Sequence, residues 1–412
     1  MPMVDMKDLM YHAYKNRYAV GAFGIVNLDF LQAVIDAAEK TRSPVILNIV
    51  ESHFPLYDVE LLTAAVVRAA KRASIPVVVH MDHCGSLERV QDAIRLGCNS
   101  VMFDAATKSF PENVENSRNV ASMAHACGVP VEGEIGYVTD YTDYTDYTDK
   151  NGESQPGSPV YTHVEEANAY IDKTGVDFLA VSIGTVHGRV KTKHRLDFSR
   201  LARIQEKVNI PCVIHGGTGL SDQQFRKLID HGVTRINFYT ALAEASKRQI
   251  EVNQKQKAAS YEQVIAGVRE KISEQVERCM RVLSSAGRAA EVIMQCQPWR
   301  DNEHVIFCKP STRDEAAIHE MLHQGQQDLQ KIPGVMSVRI GRSLDGASRH
   351  NYCWILRFAN EKVQESYRTH PVYEAYSEKY IKPIATQTAT NDYEIVEMAD
   401  WKNLNMPRTN AL

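Results

Sequence analysis

From Tyr18 onward, short apolar runs alternate with longer stretches in which apolar positions recur every three or four residues. The runs at 18–23, 44–50, 76–81, 100–104, 130–134, 177–183, 211–215 and 234–238 are rich in Val, Ile, Ala and Phe, and four begin at Pro44, Pro76, Pro130 and Pro211. Their length and β-branched content predict buried strands. Between them, 28–40, 59–72, 87–96, 111–127, 164–174, 198–208 and 222–232 carry helix periodicity; in the first, Leu31, Val34, Ile35 and Ala38 share one face. Strands alternating with helices predict a parallel sheet, and eight such units in roughly 240 residues predict an α/β fold of the (β/α)8 TIM-barrel type. An open doubly wound sheet is the other arrangement of the same pattern.

The periodicity changes after residue 290. Residues 250–290 read as helix closing the barrel, so 1–290 is assigned to the first domain, and 291–302, around Gln297-Pro298-Trp299-Arg300-Asp301, to a linker. The remainder, 303–412, predicts a strand at 303–308, a helix at 313–329, strands at 334–340 and 352–358, helices at 360–369 and 371–380, and a last strand at 392–397. This β-α-β-β-α-β order predicts a smaller, ferredoxin-like α+β domain.

Composition narrows the function classes. The 412 residues are 44% hydrophobic and 24% charged with a net charge of -4, so no strong attraction to nucleic acid or to an anionic membrane is expected. No apolar run approaches the roughly 20 residues of a membrane span, and the first residues, Met-Pro-Met-Val-Asp-Met-Lys-Asp, lack the basic and apolar regions of a signal peptide. Eight cysteines occur singly, without a CxxC pair, which predicts reduced thiols in a cytoplasmic protein; Cys84, beside a His-Asp-His sequence, is the one to test for reactivity.

The candidate chemistry sits at strand ends. The third run, Val77-Val78-Val79-His80-Met81-Asp82-His83, stops abruptly in imidazole and carboxylate. Asp82 and His83, Asp104, Glu134, His187, His215 and Asn237 end or follow strands three to eight, and in a barrel these ends face one mouth. Three histidines on separate strands, His83, His187 and His215, are the donor set of a catalytic zinc site with a fourth position open. Glu134 and Asp104 can add a ligand or orient one. His80, three residues before His83, is read as packing or as support for a ligand. Two glycine-rich segments follow strands, Gly184-Thr185-Val186-His187-Gly188 and His215-Gly216-Gly217-Thr218-Gly219; glycine N–H groups beside a helix start predict a phosphate cradle, with Asn237 and Thr240 donating from the next loop.

The segments Val79-His80-Met81-Asp82-His83, Val131-Glu132-Gly133-Glu134-Ile135-Gly136, the stretch from Leu179 to His187-Gly188, Val213-Ile214-His215-Gly216-Gly217-Thr218-Gly219 and Ile236-Asn237-Phe238-Tyr239-Thr240 occur in this order over residues 1–290. They resemble the class II, zinc-dependent ketose-bisphosphate aldolases, especially the tagatose-bisphosphate branch. The resemblance implies reversible aldol cleavage of a phosphorylated ketose to dihydroxyacetone phosphate and an aldehyde, with zinc as Lewis acid. It implies Asp82 as the catalytic acid/base at the C4 hydroxyl, and His83, His187 and His215 as zinc ligands with Asp104 and Glu134 near the metal. Gly188, Gly216, Gly217, Thr218, Asn237 and Thr240 match the groups that hold the ketone phosphate, where a monovalent cation or a second metal can accompany zinc. The chain departs from the family at Phe23-Gly24-Ile25 (usually Phe-Asn-Ile), at Val50-Glu51 where a hydroxyl usually stands, and at Asp104-Ala105-Ala106 (usually Asp-Gly-Ser). The lost polar groups predict a different aldehyde. After the fifth strand the family's acidic loop is replaced by a Tyr-Thr-Asp repeat over 137–149. It is either a lid whose Asp or Glu153 supplies the C3 base or a repeat insertion without catalytic part.

In the second domain, His304-Val305-Ile306-Phe307, Ile332-Pro333-Gly334-Val335 and the stretch His370-Pro371 to Tyr376 resemble the stress-responsive dimeric α/β-barrel domains. The resemblance implies a homodimer or higher homo-oligomer; His304 and His370 lining a small pocket is the other reading. The rival readings of the whole are a phosphosugar-binding regulator that kept the pocket and lost the C3 base, and a metal hydrolase on the same barrel.

Overall fold

A computed structural model describes residues 2–138, 161–188 and 196–395. They form two compact units, the first of Pro2–His125 and Val129–Pro298 and the second of Ala126–Gly128 and the chain from Trp299.

In the first unit β1 (Val20–Gly24), β2 (Val45–Val50), β3 (Val77–Cys84), β4 (Ser100–Phe103), β5 (Val131–Ile135), β6 (Phe178–Val181), β7 (Cys212–Ile214) and β8 (Val233–Phe238) close into a barrel in sequence order. All pairs are parallel, and β8 pairs with β1. The strands are almost wholly buried because side chains fill the interior and helices cover the outside. Side-chain caps fix where the helices start: Asn27, Asp58, Ser86 and Asp197 each accept from a backbone N–H of the first turn, and Ser221 with Gln224 forms a capping box.

The strand pattern does not reveal the element that closes the barrel's N-terminal end. Helix Met6–Lys15, begun by Asp5, packs Met6, Leu9 and Met10 against Val20, Ile46, Val78, Phe178 and Val213 from the beginnings of the strands. The stretch expected as one helix over 250–290 is broken into Thr240–Lys255, Tyr261–Ile265 and Val268–Val282, the last starting after Gly267 at φ 76, and a further helix spans Ala289–Gln295.

The second unit is a four-stranded antiparallel sheet in the order β10-β11-β9-β12, from β9 (Asn302–Pro310), β10 (Val335–Arg342), β11 (Tyr352–Phe358) and β12 (Ala385–Glu394). Helices Glu315–Leu329, Glu361–Tyr367 and Pro371–Tyr376 complete the ferredoxin-like order. β12 begins seven residues before the expected 392. Its Ala-Thr-Gln-Thr-Ala-Thr start is polar because this is an edge strand, and threonine's β-branch supplies the strand preference that apolar periodicity does not. His304 and His370 have different bonding partners. His304 Nδ1 meets Asp392 Oδ1 at 2.5 Å beside Phe358 and Tyr367, while His370 caps helix Pro371–Tyr376 by accepting from Val372 N.

Candidate active site

The site begins with an irregularity in β3. Strand alternation turns His80 and Asp82 toward the barrel interior and should turn His83 away. Instead, the β3–β4 register shifts between Met81 and Cys84, and His83 adopts φ 55, a left-handed conformation uncommon for a side-chain-bearing residue. Two consecutive residues, Asp82 and His83, therefore both line the mouth. Cys84, next along, is buried, and burial pushes its thiol well above the usual range, so it is not the reactive cysteine the sequence suggested.

Beneath the mouth lies a buried charge network centred on Arg235, which is fully inaccessible to solvent. An arginine so placed needs anionic partners. Arg235 donates to Asp82 Oδ1 (3.1 Å), to Asn48 Oδ1 (3.1 Å) and to Glu132. Its Nη1 also lies 3.0 Å from His80 Nε2. Since guanidinium only donates, His80 accepts at Nε2 and donates from Nδ1 to Ser100 Oγ at 2.8 Å, which makes it a neutral imidazole. Burial, reinforced by Arg235, lowers its pKa in agreement. His80 is thus a supporting residue. Asp82 also accepts from Asn48 Nδ2 and Asn237 Nδ2, each at 2.9 Å. Burial works against its charge, but Arg235, followed by His83, holds its carboxyl well below the usual carboxylate range.

Above this network three imidazoles from β3 and the loops after β6 and β7 converge. Ring centroids are 4.8 Å apart for His83 and His215, 5.3 Å for His83 and His187, and 5.8 Å for His187 and His215. Their candidate ligand atoms all lie within 4.8 Å of one another. His83 Nδ1 is 2.7 Å from Asp104 Oδ2, and His215 Nε2 is 2.9 Å from Glu132 Oε1. With those nitrogens engaged, His83 Nε2 and His215 Nδ1 are left for the cluster. His215 Nδ1 is buried without a hydrogen-bond partner, as is Glu134 Oε2, and the two stand 3.7 Å apart. Burial pushes the Glu134 carboxyl up to about 7. Burial opposes charge on His83, but Asp82, hydrogen-bonded Asp104 and Glu134 push it up to about 10. The carboxyl groups of Asp82, Asp104 and Glu134 thus make this end of the barrel favourable to positive charge.

The cluster opens into a cavity of about 360 Å³. Its lining includes Asp82, His83, His187 and Asn237 together with Gly188, Gly216, Thr218 and Thr240. Asp104 and Glu134 form a further group with His83, their ligand atoms within 4.8 Å of one another. Gly216 has φ 72, and a Cβ there would lie 2.1 Å from Val186 O, so the turn admits only glycine. Gly217 differs from the expectation. Its N–H is spent on Asn237 O at 3.0 Å, and a Cβ would strike Ile236, so it serves close packing rather than an anion. Thr218 Oγ1 accepts from Ala241 N at the start of helix Thr240–Lys255, whose N-terminus faces the cavity at Tyr239 and Thr240.

The pattern of strand ends does not find Asn48, Glu132, Arg235, His53 or Tyr239. For two of these the signal is period two, and for a third it is strand pairing. Glu132 precedes Glu134, and Arg235 precedes Asn237, by two residues on the same inward face; Asn48 pairs with His80 across β2 and β3. The 137–149 repeat falls, from Thr139 on, outside the described residues, as do the following residues to Val160, including Glu153.

Residues 4–288 match the family model for fructose-bisphosphate aldolase class-II, and residues 303–395 match that for the stress responsive A/B barrel domain. The chain is 33% identical over 293 residues to a sulfofructosephosphate aldolase of Alkalicoccus urumqiensis, an alignment covering 70% of this chain and 99% of that protein. It is 32% identical over 295 residues to a fructose-bisphosphate aldolase of Staphylococcus epidermidis, covering 70% of this chain and all of that one. The crystal structure of the YdjI aldolase from Escherichia coli K12 superposes with a TM-score of 0.62 at 30% identity, over 70% of this chain and 99% of that chain. With the closed eight-stranded barrel and the histidine cluster at its C-terminal mouth, these matches make the chain a member of the class II aldolase family, carrying a stress responsive A/B barrel domain after the barrel.

Proposed function

We propose that the protein catalyses reversible aldol cleavage of a phosphorylated ketose to dihydroxyacetone phosphate and an aldehyde, with zinc held by His83, His187 and His215. The observation that carries this reading is the convergence of three imidazoles beside two unpartnered buried atoms, His215 Nδ1 and Glu134 Oε2. The donor set, three neutral nitrogens with carboxylates adjacent, suits zinc. Bound there, zinc supplies Lewis-acid polarisation of the substrate carbonyl. Glu134 is the candidate further ligand, and the His83-Asp104-Glu134 group is a candidate second cation site.

The chain's own groups do the rest. Asp82, ionised and aimed by Arg235, Asn48 and Asn237, takes the proton of the C4 hydroxyl as the C3–C4 bond breaks and returns it in synthesis. Glu132 fixes the ring of His215. Gly188, Gly216 and Thr218, with the start of helix Thr240–Lys255, receive the ketone phosphate.

In the second unit, the sheet face opposite the helices presents half-buried Phe307 and Ile355 with Val305, flanked by the Arg339–Glu303 ion pair. This face suits pairing with a second copy. No described helix is long and apolar enough to cross a membrane, and all eight cysteines are free thiols, which suits a reducing, cytoplasmic setting.

The test is a coupled assay for dihydroxyacetone phosphate over a panel of ketose phosphates. Release that disappears with chelator, returns with zinc and is lost in Asp82→Ala supports the proposal. Tight phosphosugar binding without turnover in the zinc-loaded protein would favour a regulatory role instead.

A further inference from the structure

The cleft has two unlike ends. The glycine-rich end is built for an anion. The other is formed by Gly24, Val50, Ser52, His53 and Tyr239. Val50 pairs in register with Asp82, so this end begins beside the acid/base and must receive the aldehyde half of the substrate. Gly24 makes room for an aromatic ring, since a Cβ there would lie 3.0 Å from Tyr239 Cδ2. His53 packs against the same ring with centroids 4.4 Å apart. His53 Nδ1 is buried and has no partner among the described residues, although it belongs to a residue lining the cavity. A buried polar atom left unmatched beside a substrate cleft points to a partner on the substrate.

The charges around this end are as telling. No lysine or arginine occurs among the described lining residues. Arg89, which follows the His-Asp-His strand, is taken up elsewhere: its Nε donates to Glu51 (3.3 Å), Nη1 lies 3.8 Å from Asp92, and its guanidinium covers the Phe54 ring at 4.9 Å. Arg235 is consumed beneath the floor by Asp82 and Glu132. Glu51 opens the 3₁₀ turn Glu51–Leu56 that carries His53, and its carboxylate accepts from Gly85 N at 2.8 Å. Burial lowers the His53 pKa, which keeps its imidazole uncharged near neutrality. Among the described residues a phosphate at this end would meet a neutral imidazole, an aromatic ring and a nearby carboxylate and no cationic side chain, an arrangement that disfavours a desolvated anion.

We propose that the aldehyde half of the substrate is uncharged and hydroxylated, and that His53 is the specificity-determining residue that hydrogen-bonds it against the Tyr239 ring. The preferred substrates are then ketose 1-phosphates rather than ketose bisphosphates. This rests on the aldolase reading above, and the test separates the two.

With the zinc-loaded full chain, solvent-deuterium exchange into dihydroxyacetone phosphate reports the ketone half alone. Condensation with D-glyceraldehyde and with D-glyceraldehyde 3-phosphate, and with the L-isomers, then reports the aldehyde half. Loss of exchange as well as condensation overturns the aldolase reading. Exchange with kcat/KM for a neutral aldehyde about 10-fold or more above that for its phosphate supports the inference; the reverse preference overturns it while leaving the aldolase reading intact. His53→Ala is expected to raise KM for glyceraldehyde about 10-fold more than KM for propanal, which has no hydroxyl for the imidazole to bond. Equal slowing of glyceraldehyde and propanal overturns the specificity role. His53→Arg is expected to shift the preference toward the phosphorylated aldehyde, and no shift counts against the proposal.

Discussion

The two ends of the barrel differ in how far they match their buried polar groups, although His12 Nε2, in the helix that closes the N-terminal end, also lacks a partner. At the N-terminal end Asn99 donates to Val4 O and accepts from Val79 N, both at 2.8 Å, and Asp177 accepts from Lys7 Nζ (2.8 Å), His125 Nε2 (2.7 Å) and Val131 N (2.9 Å). At the C-terminal mouth His215 Nδ1, Glu134 Oε2, Asn237 Oδ1 and His53 Nδ1 lack partners. An unmatched buried polar atom costs roughly 1–3 kcal/mol, so a fold that leaves several in one cleft is holding them for something that binds. The same residue types serve stability below and chemistry above. The difference lies in whether the protein itself completes their bonding.

The largest effect that sharpens this contrast is at the acid/base. Asp82→Asn keeps the shape and removes the charge, so aldol cleavage should fall by about 10²–10⁴-fold while metal content, read by elemental analysis, stays unchanged. Turnover within tenfold of wild type would remove Asp82 from the proton transfer. Next is the network between the two ends. Arg235→Met leaves Asp82 and Glu132 buried without their common cation, and urea unfolding should show a loss of about 3–5 kcal/mol. A near-neutral result would mean that those carboxylates are neutralised some other way. Smaller again is Glu132→Gln, which loosens the grip on His215 Nε2; chelator competition should show zinc affinity lower by about 10–100-fold.

How far the chain could be read in advance divides along the same line. The eight strands were legible because each is a buried apolar run bounded by helix starts that carry their own caps, such as Asn27 and Ser86. The gathering of His83, His187 and His215 followed from topology alone, since barrel strand ends share one mouth. What alternation could not supply was the left-handed backbone at His83, which re-aims that ring against the pleat. Nor could it identify the network beneath. A charged residue within an apolar strand, such as Glu132 or Arg235, has no sequence-local partner; its partner is on another strand, and register is set only by closure of the barrel. The helix Met6–Lys15 escaped for a related reason. It belongs to no βα unit, and its apolar face is matched only by strand beginnings far along the chain. His53 and Tyr239 lie on a turn and a helix start, where side-chain direction follows local backbone rather than any period.

The smallest effect tests the satisfied end. Asp177 is nearly inaccessible and its pKa is lowered: burial opposes the charge, but hydrogen bonds from His125, Lys7 and Val131 N outweigh it. A carboxylate whose folded pKa lies below its unfolded value of 3.8 contributes stability that is fully present above that value. The contribution is lost as pH falls through the folded value. Asp177→Asn should therefore cost about 1–3 kcal/mol at pH 7, and the gap between variant and wild type should narrow only below about pH 4. Activity per folded molecule should not change, because none of the three bonds touches the cleft. A gap that instead closed between pH 5 and 7 would put its origin in the protonation of another group, and a loss of turnover in fully folded variant would show that the two ends of the barrel are not independent.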